Sequence, residues 1–207
     1  MRLTLSKNLR SVGMKRLHGT FSVMLLSLLL FSALPWLQGS EACAAPTPKH
    51  LSIMLSWQGE RETKGANRSP LIDYMNRRLG LPLGSPYCSS SISLALDSAK
   101  VTSPTVRTGL ARNFKSSKSI KATQVLSGKK SVHVGDIAIW QLGKSWRGHA
   151  ALVVRVIDKR TIETMDANTT CDGVGTERDG DGFCKKIRKI APYDYFGLKW
   201  FTRVSYA

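Results

Sequence analysis

Between Ser69 and Ala99 the apolar positions recur with a helical period. Leu71, Ile72, Met75 and Leu79 form one stripe, preceded by the N-cap and N1 pair Ser69-Pro70 and closed by Gly80. This spacing predicts a helix over 69–79. Ser85-Pro86 repeats the start signal, and Cys88, Ile92, Ala95, Leu96 and Ala99 then share one face of a second helix, with Cys88 in its first turn. Upstream lies a short apolar segment, Leu51 to Trp57. Downstream, Val106 to Phe114 reads as a further helix, followed by a Ser/Lys-rich loop. Beyond Gly135-Asp136 the period shortens to that of strands: Ile137 to Trp140, Ala150 to Ile157, Thr161 to Asn168 and Leu198 to Val204. Helices first and an antiparallel sheet afterwards give an α+β class, N-terminal helices packed on a C-terminal sheet.

Residues 1–44 do not fit that domain. Five bases and no acid occupy the first twenty residues, Phe21 to Leu37 is almost purely apolar, and Ala42-Cys43-Ala44 offers an A-x-A cleavage site. The stretch reads as a secretory signal peptide, which implies a secreted or periplasmic protein. An uncleaved anchor and a lipoprotein cleaved before Cys43 are the competing readings. Residues 45–56 then form a linker and N-terminal segment, and 57–207 the folded domain. Removing 44 of 207 residues leaves 163, enough for one domain with a real core.

Charge changes the picture of partners. Five of 31 bases and one of 14 acids fall in the leader, so the remainder carries 26 against 13, a net +13. From Ala99 to Gly135 no acid appears, while Lys100, Arg107, Arg112, Lys115, Lys118, Lys121, Lys129 and Lys130 accumulate. A positively charged exported protein suits anionic wall polymers, lipid head groups or lipopolysaccharide, whereas a solvated face is the plain alternative. No recognition motif points to nucleic acid.

Three cysteines survive removal of the leader. Cys171 and Cys184 bracket a Gly/Asp-rich stretch with strong turn chemistry, and a disulfide closing it leaves Cys88 free; two unpaired thiols in a loop are the alternative. No zinc spacing is present, and Asp179-Gly180-Asp181 lacks the remaining ligands of a calcium loop, so neither metal nor cofactor is expected.

A thiol at a helix start is placed to ionise, because the unsatisfied amides and positive dipole end favour the thiolate. The hairpin of the middle strands supplies the other parts of a cysteine nucleophile. If the turn is Asp158-Lys159, facing residue numbers total 317 and His149 stands opposite Asn168; a three-residue turn gives 318. By alternation Asp166 and Asn168 share one face and Glu163 takes the other, which makes Asp166 and Asn168 the orienters of His149.

The runs Pro86-Tyr87-Cys88-Ser89, Gly135-Asp136-Ile137-Ala138-Ile139-Trp140, Gly148-His149-Ala150-Ala151-Leu152-Val153-Val154 and Ile162-Glu163-Thr164-Met165-Asp166-Ala167-Asn168-Thr169 together resemble the CHAP domain family, relatives of NlpC-like and papain-like cysteine peptidases. The resemblance covers most of residues 57–204, including Gly65-Ala66-Asn67-Arg68-Ser69. It implies a papain-like or NlpC-like fold and cleavage of an amide bond in bacterial peptidoglycan, as an N-acetylmuramoyl-L-alanine amidase or a peptide endopeptidase, by a monomer. Cys88 would attack the carbonyl, His149 would move the proton, Asp166 or Asn168 would hold the imidazole, and a backbone amide near Cys88 would donate to the oxyanion. Where the family often carries glutamate, Asp166 is one methylene shorter. Ser89-Ser90-Ser91 stands where bulkier or apolar residues are usual, which implies an altered pocket wall. The alternatives are a non-catalytic basic wall-binding module and a secreted cysteine peptidase or effector with another substrate.

Overall fold

The computed structural model describes residues 46–63, 65–171 and 180–206. The leader reading falls outside these residues, as does most of the Gly/Asp-rich stretch. The part described belongs to one compact unit, Ala44–Ala207. Its helices are α1 (Lys49–Leu55), α2 (Pro70–Arg78), α3 (Cys88–Ser98) and α4 (Ala122–Leu126). Its strands are β1 (Ile120–Lys121), β2 (Ile137–Leu142), β3 (Gly148–Asp158), β4 (Thr161–Thr169), β5 (Gly182–Lys189) and β6 (Phe196–Thr202). All pair antiparallel in one sheet, in the order β1-β6-β2-β3-β4-β5. The fold is therefore α+β.

Helix α2 begins as its sequence dictates: the Ser69 hydroxyl accepts the Ile72 amide at 3.2 Å and Pro70 takes N1. Helix α3 departs from the same expectation. Its N-cap is Tyr87, which makes no side-chain cap bond, while Ser85 donates to the Pro82 carbonyl at 2.7 Å, so Cys88 is the first helical residue. The helix expected over Val106 to Phe114 is only a 3₁₀ turn, Ala111–Phe114, and the expected Ser/Lys-rich loop contains β1 and α4. Strand β5 was hidden by its lysines: only Phe183 is a large apolar residue fully buried along Gly182–Lys189.

Two apolar layers sandwich the sheet. On one face Ile137, Ile139, Ala150, Leu152, Met165, Ala167 and Phe183 pack with α1, α2 and α3; on the other Ala138, Ala151, Val153, Ile162, Leu198 and Phe201 pack with α4. Strict alternation along β2 and β3 produces the two faces. Asp136, at the entrance to β2, accepts the His133 amide at 2.9 Å and Arg203 Nε at 2.6 Å, and His50 Nε2 donates to the Gly135 carbonyl at 2.8 Å. The Gly135-Asp136 motif thus ties the strand start to both chain ends of the domain.

Cys171 and Cys184 are joined by a disulfide. Among the described residues no helix is long and apolar enough to cross a membrane.

Phe183 is fully buried with its ring 5.3 Å from that of Tyr87 and 6.1 Å from that of Trp57. Phe183→Ala should cost about 3–5 kcal/mol, read as a lower urea midpoint with little change in slope. The double variant Cys171→Ser/Cys184→Ser should lose about 3 kcal/mol on the chain-entropy estimate; an unchanged midpoint in either case would contradict the packing or the crosslink described.

Candidate functional site

The β3–β4 hairpin turns at Lys159-Arg160, one residue later than the Asp158-Lys159 turn expected, so facing numbers total 319 at Asp158–Thr161. Two register shifts, between Val156 and Asp158 and between Val153 and Arg155, bring the total to 317 by Leu152–Met165. The register at the site end is therefore the one inferred from sequence, reached through bulges and a different turn. Pairing between β3 and β4 stops at Leu152–Met165, although β3 runs on to Gly148 and β4 to Thr169. Beyond that point β3 pairs only with β2, and β4 only with β5.

The start of α3 meets β3 where the two strands part. The Ala150 amide, with no β4 partner to serve, lies close enough to Cys88 to favour its thiolate. The Cys88 thiol and the His149 imidazole are close enough to shift each other's ionisation, and His149 Nε2 bonds Asp166 Oδ2 at 2.9 Å. With Nε2 committed to the carboxylate, Nδ1 is the ring nitrogen left for the thiol. All three side chains are buried; Cys88 retains only 7 % exposure.

Asp166 is held from three sides. Thr164 Oγ1 donates to Oδ1 at 2.5 Å, and Arg188 Nη2 donates to Oδ2 at 2.5 Å beside the imidazole. Arg188 also lies over the Trp140 ring, 5.6 Å from its centroid, and that ring is 5.6 Å from the His149 ring. Glu163 takes the other direction, as expected, and accepts from Arg155 Nε at 3.3 Å.

Asn168 does not join the histidine. It is the extra residue of a bulge between Ala167 and Thr169, with φ +58°, and its buried Oδ1 has no partner among the described residues. The bulge breaks the alternation from which a shared face with Asp166 was inferred; asparagine tolerates the left-handed backbone there. Its backbone amide instead lies near the Tyr87 hydroxyl, whose own proton goes to the Gly180 carbonyl at 3.5 Å, so the residue before Cys88 meets the end of β4.

The serine run forms a buried polar net. Ser89 Oγ lies 3.7 Å from Cys88 Sγ, Ser90 Oγ donates to Asn76 Oδ1 at 2.7 Å, and Ser91 Oγ donates to the Cys88 carbonyl at 2.8 Å. Asn76 Nδ2 in turn donates to the Ser85 carbonyl at 2.9 Å, so α2 grips the turn that leads into α3. Sequence reasoning also missed Arg188, Thr164 and Trp140. Thr164 and Trp140 were legible as alternation partners of Asp166 and as the β2 neighbour of His149; Arg188 required the unseen strand β5.

Burial opposes each charge in the site, and the neighbours overcome it. For Cys88, the bond from His149 and its charge, then the Ser89 hydroxyl and the Ala150 amide, bring the thiol below its ordinary value. For His149, burial disfavours the imidazolium, yet Asp166 and Cys88 raise it to about 9. For Asp166, burial is outweighed by His149, Arg188 and Thr164, which hold the carboxyl at about 2. These shifts, the thiol lowered and the imidazole raised, run in the direction of a thiolate–imidazolium pair backed by a carboxylate. Such a pair combines a nucleophile with a proton donor of the right reach for a leaving group.

Two clefts, of about 560 and 460 Å³, meet at Ser117, Lys118 and Arg203 on the β1–β6 side, and neither includes Cys88, His149 or Asp166. Lys115, Lys118, Lys130, His133 and Arg203 line them without a single acid. Among the described residues no group of three or more His, Cys, Asp or Glu side chains converges as a metal ion requires. Comparison with protein-family models and with curated proteins gives no match.

Alkylation of Cys88 by iodoacetamide should remain fast well below the ordinary thiol pKa, because the thiolate is the form that reacts. Asp166→Asn removes the charge that stabilises the imidazolium and should slow the rate at pH 6 about tenfold or more, with less effect near pH 10. Equal rates for both proteins at pH 6 would show that Asp166 does not govern the thiol.

Proposed function

We propose that the protein is a cysteine amidohydrolase of CHAP type that cleaves an amide bond of bacterial peptidoglycan, acting outside the cytoplasm after removal of its leader. One observation carries this reading: a single buried imidazole bonds the Asp166 carboxylate through Nε2 and interacts with the Cys88 thiol, which sits at the first residue of a helix. Buried charges arranged in this way cost stability and earn retention through chemistry.

The thiolate attacks the amide carbonyl carbon while the C=O π pair moves onto oxygen. The amides of the first turn of α3, which lack intrahelical acceptors, face the developing oxyanion, and Cys88 N–H is the donor assigned. Collapse of the tetrahedral adduct breaks the C–N bond, and His149 gives its proton to the departing amine. The thioester is then hydrolysed: neutral His149 takes a proton from water, the hydroxide adds to the carbonyl, and the thiolate leaves to restore the ion pair. Asp166 keeps its charge throughout and holds the imidazole in orientation, a role that Asn168, engaged through its backbone with Tyr87, does not share.

Peptidoglycan as substrate rests on the four motif runs that resemble CHAP domains. The acid-free clefts of the β1–β6 side fit a wall environment rich in anionic polymers. The disulfide fits an oxidising compartment.

Purified peptidoglycan incubated with the protein should release fragments with new amine and carboxyl ends, identified by mass spectrometry, and Cys88→Ala should release none. Activity should fall on the alkaline side as His149 loses its proton near pH 9. Sedimentation of both proteins with the wall in a salt-sensitive manner, with no fragments from either, would instead favour the basic binding module.

A further inference from the structure

Four large aromatic side chains remain in solvent on two neighbouring loops. Tyr193 is 83 % exposed, Tyr195 76 %, Trp146 56 % and Phe196 44 %. Trp146 belongs to the β2–β3 loop, and the others belong to the β5–β6 connection and the first residue of β6. Antiparallel pairing brings the two together, since Leu142 at the end of β2 faces Phe196. Grouped exposed aromatics of this kind mark binding surfaces.

The backbones that carry these rings are braced by hydrogen bonds. Gly143 N–H donates to the Tyr195 carbonyl at 2.7 Å. Gly143 has φ +53°, and a Cβ there would lie 2.8 Å from Cε2 of Tyr195, so the tyrosine ring rests against bare backbone. Lys199 Nζ donates to the carbonyls of Pro192 and Asp194, cross-bracing the segment that carries both tyrosines. In the other loop, Leu142 N–H donates to the Arg147 carbonyl at 3.0 Å and Gln141 Nε2 to the Ser145 carbonyl at 3.0 Å. Arg147 covers Trp146 from one side, its guanidinium carbon 5.7 Å from the ring centroid. Rigid aromatic faces held in solvent lose little entropy when a ligand stacks on them.

The platform adjoins the site. His149 is three residues beyond Trp146 and pairs with Trp140. Leu142 is two strand residues farther along, about 7 Å. A ligand lying on the aromatic rings therefore reaches toward the His149 end of the catalytic group.

We propose that Trp146, Tyr193, Tyr195 and Phe196 form a stacking platform for the pyranose rings of a glycan strand, placing the amide attached to that strand at Cys88. This rests on the peptidoglycan reading above. The electron-rich ring faces suit the axial C–H groups of a sugar, and tyrosine hydroxyls can bond its substituents. A lipid surface fits less well: no Leu or Ile side chain is exposed in either loop to enter an acyl layer, and the exposed charges, Lys144, Arg147 and Asp194, are of mixed sign rather than the basic cluster that anionic head groups recruit.

The test is calorimetric titration of the Cys88→Ala protein with a β-1,4-linked hexamer of N-acetylglucosamine, so that binding is scored independently of whether the thiol is a nucleophile. Saturable binding is expected. Adding Tyr193→Ala and Tyr195→Ala should weaken it about tenfold or more, whereas the Tyr→Phe pair, which keeps the ring faces, should stay within a few-fold. Absence of saturable binding, equal affinity for the alanine pair, or loss in the phenylalanine pair would each overturn the platform. So would co-sedimentation with phosphatidylglycerol vesicles that the alanine pair abolishes while the hexamer gives no heat. Failure of the cleavage reading would appear separately, as fragment release unaffected by Cys88→Ala.

Discussion

The bond between Asp166 and His149 organises the chemistry of this molecule, because a fully buried carboxylate is tolerated only when every approach to it is filled. Here His149, Arg188 and Thr164 fill them from three strands. Arg188 and His149 converge on the same oxygen, so the carboxylate is shared between a permanent cation and a titrating one. The disulfide adds a covalent brace at the same level of the sheet, since Cys184 stands directly across the ladder from Asp166.

That carboxylate is useful only because β3 and β4 separate beside it. An unbroken ladder would have occupied the Ala150 amide and closed the sheet between His149 and Asn168. Parting the strands after Leu152–Met165 frees the amide for Cys88 Sγ and admits the start of α3. The bulge at Asn168 belongs to the same construction: it turns the end of β4 so that a backbone N–H reaches Tyr87, and the residue next to Cys88 becomes an anchor between helix and sheet. Asn76, Ser90 and Ser91 fix the helix from its other side. Position of the thiol is thus over-determined by contacts from α2, β3 and β4.

Much of this was legible in the chain. The Ser69-Pro70 start, the amphipathic stripe through Cys88 and the strand character after Gly135 follow from local rules of capping and periodicity, and the hairpin narrowed the histidine's partner to Asp166 or Asn168, although the ladder itself stops short of His149. What escaped the reading depends on tertiary context. Strand β5 alternates lysine and arginine with few apolar residues, because one face meets solvent and the other carries charge toward Asp166. The start of α3 moved from Ser85-Pro86 to Cys88 because Ser85 turns back to Pro82 and Asn76 holds its carbonyl. Asn168 left its expected face through a single unpaired residue, a device that strict alternation does not reveal.

The central claim is that Cys88 ionises below the ordinary thiol range because His149, held by Asp166, lowers it. Ultraviolet absorbance near 240 nm, taken from pH 4 to 10 as the difference between the protein and Cys88→Ser, reads the thiolate directly. The expected result is an onset of absorbance below the ordinary thiol range. An onset only near pH 9 would mean that Cys88 is an ordinary buried thiol and that the three residues, though adjacent, do not form a catalytic group.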